Sequence, residues 1–259
     1  MITSTQNPKI KLVRQLLTQT KARKKQGAFV LEGIRLLEEA FNSPFTPELL
    51  LYTADLDQRG VSLVKEFETG GVNCELTAPN VFSTASDTET PQGILAICPL
   101  ISLPIPDHAD FLLITDEIRD PGNLGTLMRT ALAAGADGVL LPPGTVDPFS
   151  PKVVRAAMGA HFHLPVKIAS WIEIKKTIRG LTVYLTDMNQ GVNLWQSELT
   201  EPLAIIIGGE AHGPGKIARE LTNKVLHIPM SDKSESINAA AAGAVLLFEI
   251  RRQRTLIGK

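Results

Sequence analysis

Apolar residues fall along this chain in two rhythms. "FVLEG" from Phe29, "ELLLYT" from Glu48, "VNCEL" from Val72 and "GILAIC" from Gly93 are short dense runs closed by turn residues, which predicts strands. "IRLLEEAF" from Ile34 and "VSLVKEFE" from Val61 space their apolar residues by three and four, which predicts helices with one buried face. Interleaved in this way, they predict a small α/β unit over residues 1–98. "CPLISLPIPDHAD" comes next with Pro99, Pro104 and Pro106 and neither rhythm, so residues 99–109 read as a linker.

The rest of the chain, residues 110–259, changes character. "FLLIT" at Phe111, "GVLL" at Gly138, "TVYLT" at Thr182, "LAIIIG" at Leu203 and "VLHIP" at Val225 are continuous apolar runs, separated by helical stretches. Unbroken apolar strands suit a parallel sheet covered on both faces, so a doubly wound α/β domain is expected. Ligands of such sheets gather at the carboxyl ends of the strands, so the loop after each run is where chemistry is expected.

After "FLLIT" comes "DEIRDPGNLGTLMRTALAAG". Pro121 and Gly122 mark a turn, Asn123 reads as a helix N-cap, and Leu127, Ala131 and Ala134 share a packing face. Arg129 lies about 200° around the axis from Leu127, away from that face, where it is either an ordinary solvated arginine or a group aimed into a cleft. After "LAIIIG" comes "GEAHGPG", a glycine-rich loop with one carboxylate, Glu210, and a helix expected from Lys216. Gly213, Gly215 and Ala218 fit a dinucleotide-binding turn only with a proline in the tight turn and at the wrong distance from the strand, and a P-loop fails outright. After "VLH" comes "IPMSDKSESINAAAAGAVLLFEIRRQR", a polar loop and a long helix. Its early Ala/Gly run predicts close packing that Val245 and Phe248 extend, and Arg251, Arg252 and Arg254 suit its C-terminus. Ser236 and Asn238 flank the helix start, where capping is an alternative to chemistry.

Composition narrows the function classes. With 44% hydrophobic residues in 259, there is material for full cores. Two cysteines, Cys74 and Cys98, form neither a disulfide framework nor a zinc pair, and no run of about 18 apolar residues occurs, so a soluble cytoplasmic protein without membrane contact is expected. His161 and His163 lack neighbouring ligands and read as structural or surface residues, as do His108, His212 and His227, so no metal is expected. The net charge of -1 hides an asymmetry: residues 1–31 carry Lys9, Lys11, Arg14, Lys21, Arg23, Lys24 and Lys25 and no acid, leaving 19 of the 26 basic and all 27 acidic side chains elsewhere. A basic arm on an acidic body can hold a polyphosphate by counterion release, or is simply a solvated helix face. Aromatic residues make up only 5% of the chain, too few for a base-stacking platform.

Taken in order, the three loops resemble the SpoU/TrmH family of RNA ribose 2'-O-methyltransferases, in the SPOUT class. N-x-G-x-x-x-R stands as Asn123, Gly125 and Arg129; G-x-E as Gly208 and Glu210; and I-P-M with S-[LI]-N as Ile228, Pro229, Met230, Ser236, Ile237 and Asn238. Residues 1–98 resemble the ribosomal-protein-like substrate-binding domain of many members. Ile237 in place of leucine and "NAAAAGAV" in place of a more polar run are departures.

The resemblance implies S-adenosyl-L-methionine as methyl donor, held by Gly208, Gly209, Ile228, Met230 and Ile237. It also implies a C-terminal trefoil knot, a homodimer sharing its catalytic surface, and catalytic roles for Arg129, Asn123, Glu210, Ser236 and Asn238. Arg129 is expected to act as base or to fork onto an RNA phosphate, with Glu210 orienting it. The expected substrate is large-subunit rRNA. The alternatives are tRNA 2'-O-methylation, a non-catalytic RNA- or ribosome-binding protein, and a nicotinamide- or nucleotide-dependent enzyme, against which the misplaced glycine fingerprint speaks.

Overall fold

The computed structural model describes residues 1–101, 103–188, 190–209, 213–233 and 236–258. The chain forms two compact units, Met1–Ile101 with Phe149–Phe162, and Ser102–Pro148 with His163–Lys259.

The first unit opens with α1 (Pro8–Thr18) and α2 (Thr20–Gln26), then β1 (Ala28–Glu32), α3 (Ile34–Phe41), β2 (Leu49–Tyr52), α4 (Gln58–Thr69), β3 (Asn73–Leu76), a single turn α5 (Pro79–Phe82) and β4 (Ile94–Pro99). All four expected strands and both expected helices are present, in a sheet ordered β1-β4-β2-β3 with only β2 and β3 parallel. The basic segment is no loose arm. α1 buries Ile10, Val13, Leu16 and Leu17 in the core. Arg23 is 4% exposed and donates to the carbonyls of Leu16 and Leu17 and to Thr20 Oγ1. It satisfies the carbonyls that end α1 and stitches the two helices together, so it faces the protein rather than a partner. Lys9 pairs with Glu75, whereas Lys11, Lys21, Lys24 and Lys25 are exposed.

In the second unit β5 (Phe111–Asp116), α6 (Pro121–Ala134) and β6 (Gly138–Leu141) succeed one another. Next comes α7 (Pro151–Ala157), which folds with the first unit. Phe149 and His161, on either side of α7, pack their rings on Phe29 of β1 at 5.1 and 6.2 Å, and Gly159 leaves room for Glu39. The chain then continues through β7 (Val166–Ile168), α8 (Trp171–Thr177), β8 (Thr182–Thr186), β9 (Val192–Asn193), β10 (Leu203–Gly208), α9 (Lys216–Leu221), β11 (Lys224–His227) and α10 (Ala239–Leu256). Seven strands form one wholly parallel sheet ordered β7-β6-β5-β10-β8-β11-β9. β5 and β10 lie side by side at its centre, buried along almost their whole length, with Asp116 in register with Gly208. β7 and β9 escape the apolar rhythm because they are short and half-exposed at the two edges.

Helix α10 packs on α6 and β10. Gly243 makes this possible: a β-carbon there would run into the Leu127 side chain and lie 3.0 Å from Ile207 Cδ1. Phe248, expected on the packing stripe, is instead 50% exposed, and the stripe is Ala239, Ala240, Gly243, Leu246, Leu247 and Ile250. Arg254 does more than complement the helix C-terminus. It is buried, pairs with the Asp110 carboxylate, donates to the carbonyls of Asp110 and Glu201 at 2.8 Å each, and lies 5.0 Å from the Phe111 ring. It thus anchors the end of α10 at the start of β5.

This packing makes a prediction opposite to helix propensity. Gly243→Ala should gain up to about 1 kcal/mol of propensity yet lose net stability, because overpacking costs about 1–3 kcal/mol. Denaturant unfolding checks it: a lower midpoint supports the close approach, and a raised one contradicts it.

Candidate methyl-donor cavity and the loops around it

Three loops leave the carboxyl ends of β5, β10 and β11, the edge where parallel sheets bind ligands. The first turns at Asp120, not Asn123. Asp120 is the N-cap of α6, its side chain accepting the Asn123 N–H at 2.8 Å, and Pro121 sits at the first helical position, where its missing N–H costs nothing. Asn123 is thereby moved into the first turn, with its side chain released for another task.

That task is a link to the third loop. Asn238 Nδ2 donates to Asn123 Oδ1 at 2.9 Å, while Asn238 Oδ1 accepts the N–H groups of Ala240 and Ala241 at 2.9 and 3.1 Å as the N-cap of α10. One side chain therefore caps α10 and ties the first motif to the third. Arg129 lies on the same helix as Asn123, exposed, with no hydrogen bond or ion pair among the described residues.

The second loop is held by backbone closeness. A β-carbon on Gly208 would come within 2.5 Å of Pro214 N, and one on Gly209 within 2.5 Å of Glu117 O, so neither position admits a side chain. Asp116, at the end of β5 and 2% exposed, accepts the Gly215 N–H at 2.7 Å and so fixes the far end of this loop at the start of α9. Burial raises its pKa; the Gly215 hydrogen bond opposes the rise and the Glu117 charge adds to it. Glu210 and His212 lie outside the described residues.

Between the loops is a cavity of about 650 Å³. Gly208, Gly209, Ile228, Met230 and Ile237, the five residues expected to hold a cofactor, all line it, as do Ser236 and Asn238. Asn123 and Arg129 do not line it. Its volume lies within the roughly 300–1,000 Å³ usual for small-molecule sites. Apolar side chains, two glycines that bring backbone close and hydroxyl and amide groups suit a flat heteroaromatic nucleoside. Thr186, Asp187, Met188 and Arg219, which the motifs do not mark, also line the cavity. A signal for Asp116 and Asp187 does exist in the sequence, since each closes or directly succeeds an apolar strand run at the sheet edge.

His161 is buried among aromatic rings, and among the described residues no group of three or more His, Cys, Asp or Glu side chains is placed to hold a metal ion. Nor, among those residues, is any helix long and apolar enough to cross a membrane.

Known proteins share both halves. The SpoU rRNA Methylase family model matches residues 110–248, and the MRM3-like substrate binding domain model matches residues 7–96. The chain is 36% identical over 253 residues to the 23S rRNA (guanosine(2553)-2'-O)-methyltransferase RlmP of Bacillus subtilis, covering 96% of this chain and 98% of that protein. An AdoMet-bound rRNA methyltransferase from Sinorhizobium meliloti superposes with a TM-score of 0.86 at 30% identity, covering 97% of each chain. The SpoU methyltransferase AviRb from Streptomyces viridochromogenes, in complex with AdoMet, gives 0.87 at 26% identity, covering 96% of this chain and 99% of that one. With its three motifs gathered at one sheet edge and these matches along its whole length, the chain belongs to the SpoU rRNA methylase family and carries an MRM3-like substrate-binding domain ahead of the methylase part.

Proposed function

We propose that the protein methylates a ribose 2'-hydroxyl of large-subunit ribosomal RNA, using S-adenosyl-L-methionine. The observation that carries this reading is the convergence of the three motifs: the cavity is lined by the second and third, and the Asn238–Asn123 hydrogen bond joins it to the helix that bears Arg129. The full-length match to a 23S rRNA 2'-O-methyltransferase supports the substrate, because it includes the RNA-facing first unit as well as the methylase part.

The donor supplies an electrophilic methyl group on a sulfonium. Backbone at Gly208, Gly209, Ile228, Met230 and Ile237 holds it, with Ile228, Met230 and Ile237 as apolar walls for the adenine. The ribose hydroxyl must be brought in line with that methyl and lose its proton as it attacks. A guanidinium with a pKa above ~12 is a poor proton acceptor, so Arg129 serves as a fork on the phosphate beside the target ribose. Glu210 orients that fork, Ser236 faces the substrate, and Asn123 and Asn238 keep the two motifs in register.

Lys11, Lys21, Lys24 and Lys25 on α1 and α2 supply sequence-independent RNA affinity, with Lys9 and Arg14 at their margin. Arg23 is excluded by its burial. The enzyme works as a homodimer that shares its catalytic surface, a reading supported by the exposed apolar side chains Val192, Trp195 and Phe248. The end of the chain is threaded as a trefoil knot, a reading that rests on membership of the family. The cytoplasm is its compartment, consistent with thiols at Cys74 and Cys98 that are free and that burial holds in the protonated form. No metal takes part.

Two measurements test this reading. In single-turnover methyl transfer at saturating donor, Arg129→Ala should slow transfer by about 100-fold or more while leaving donor affinity within about twofold, because Arg129 is not among the residues that line the cavity. Arg129→Lys should recover little if fork geometry matters. Transfer at near wild-type rate, or loss of donor binding in step with turnover, would contradict the role. Replacing Lys11, Lys21, Lys24 and Lys25 by Gln should flatten the salt dependence of RNA binding by up to ~0.7–0.9 slope units per lost phosphate contact. An unchanged slope would assign these lysines to solvent.

A further inference from the structure

Among the described residues that line the cavity, two are charged: Asp187 and Arg219. Asp187 directly succeeds β8, and its backbone N–H donates to Leu226 O at 3.0 Å, which locks it between β8 and β11. Its side chain is only 17% exposed. Arg219 stands on α9, whose N-cap residue Gly215 is pinned by Asp116, and its guanidinium reaches back to within 3.8 Å of the β-carbon position of Gly213. The two charges meet at 3.3 Å, Arg219 Nη1 to Asp187 Oδ2. This contact engages Nη1 alone of the three guanidinium nitrogens, which leaves the N–H groups of Nε and Nη2 for a ligand.

The remaining lining is apolar side chain, glycine backbone, hydroxyl and amide. Those groups serve a purine and a ribose. They do not serve the other end of the donor, an α-amino acid with one ammonium and one carboxylate, which would be costly to desolvate without charged partners. A carboxylate beside a guanidinium is the complement of that zwitterion. The same pair is a poor seat for RNA, because Asp187 would repel the phosphate that Arg219 attracts.

Building on the cofactor reading, we infer that Asp187 and Arg219 bind the amino-acid end of S-adenosylmethionine, Asp187 accepting from its ammonium and Arg219 donating to its carboxylate. The pair is pre-organised by its mutual contact, and Arg219 gains a second partner when the donor enters. Neither residue belongs to the three motifs, so this would be a separate contribution to the site from β8 and α9.

Two ligands isolate the amino-acid end: S-adenosylhomocysteine, which has it, and 5'-methylthioadenosine, which keeps the adenosine and lacks it. Calorimetry on the full chain compares wild type with Asp187→Asn and Arg219→Gln. Each substitution should weaken S-adenosylhomocysteine by about tenfold or more, as expected for a charge-assisted contact, and change 5'-methylthioadenosine by less than about twofold. Equal weakening of both ligands would overturn the assignment, since it would mean that the pair shapes the cavity or holds the adenosine. No weakening of either would overturn it as well. A circular-dichroism spectrum matching wild type establishes that each variant is folded before binding is read, and Arg219, with a half-exposed side chain, is the safer of the two to replace. A wild-type chain that binds neither ligand would remove the cofactor reading and this assignment together. Variants that lose both equally remove this assignment alone.

Discussion

Close approach of neighbouring atoms to glycine backbone, around the carboxyl ends of β5 and β10 and where α10 packs, is the constraint on which the rest of this molecule depends. Gly208 has Pro214 against it, Gly209 has Glu117 against it, and Gly243 brings α10 down onto β10 and α6. At each place a single β-carbon would force a shift. The cavity exists because the chain folds back on itself this tightly while polar contacts hold the folded-back pieces: Asp116 on the Gly215 N–H, Asn238 on Asn123, and Arg254 on Asp110. Packing alone is non-directional; these hydrogen bonds set the register in which it happens.

Function arises from a separation of duties at that edge. The second and third loops line the cavity, and the first leads into α6, which carries Asn123 in its first turn and Arg129 two turns further on. Asn238 touches both sets, since one end of its amide caps α10 and the other reaches Asn123. A reaction between a buried electrophile and a hydroxyl on a large polymer requires this arrangement. The donor must be screened from water, while the acceptor has to be reached from solvent.

Much of this is legible in the sequence, and the failures have physical causes. Dense apolar runs locate the four strands of the first sheet and the five longer strands of the second, because burial on both faces leaves no polar alternation. The edge strands β7 and β9 lack that signature since they are only partly covered. Spacing marks Asn123 as a cap, but Asp120 competes for the same role three residues earlier and wins it. Phe248 fits a helical stripe by arithmetic, yet which side of α10 meets a neighbour is decided by Gly243 and its tertiary partners. Arg23 resembles the lysines around it, and only the fold shows that it closes the α1–α2 corner. Segment 149–162 carries no mark of belonging to the first unit, because its partner Phe29 lies 120 residues before Phe149 in the chain. Asp187 and Arg219 are 32 residues apart and become a pair only through the crossing of β8 and α9.

The central claim is that this sheet edge transfers a methyl group to ribosomal RNA ribose, and it is tested most directly by mass-spectrometric mapping of ribose methylation in large-subunit rRNA from cells with and without the protein. The account predicts one 2'-O-methylated nucleotide that disappears without the protein and returns when purified protein and S-adenosylmethionine are added to the unmethylated RNA. An identical methylation map in both cells, or a methyl group lost from a base rather than a ribose, would contradict it.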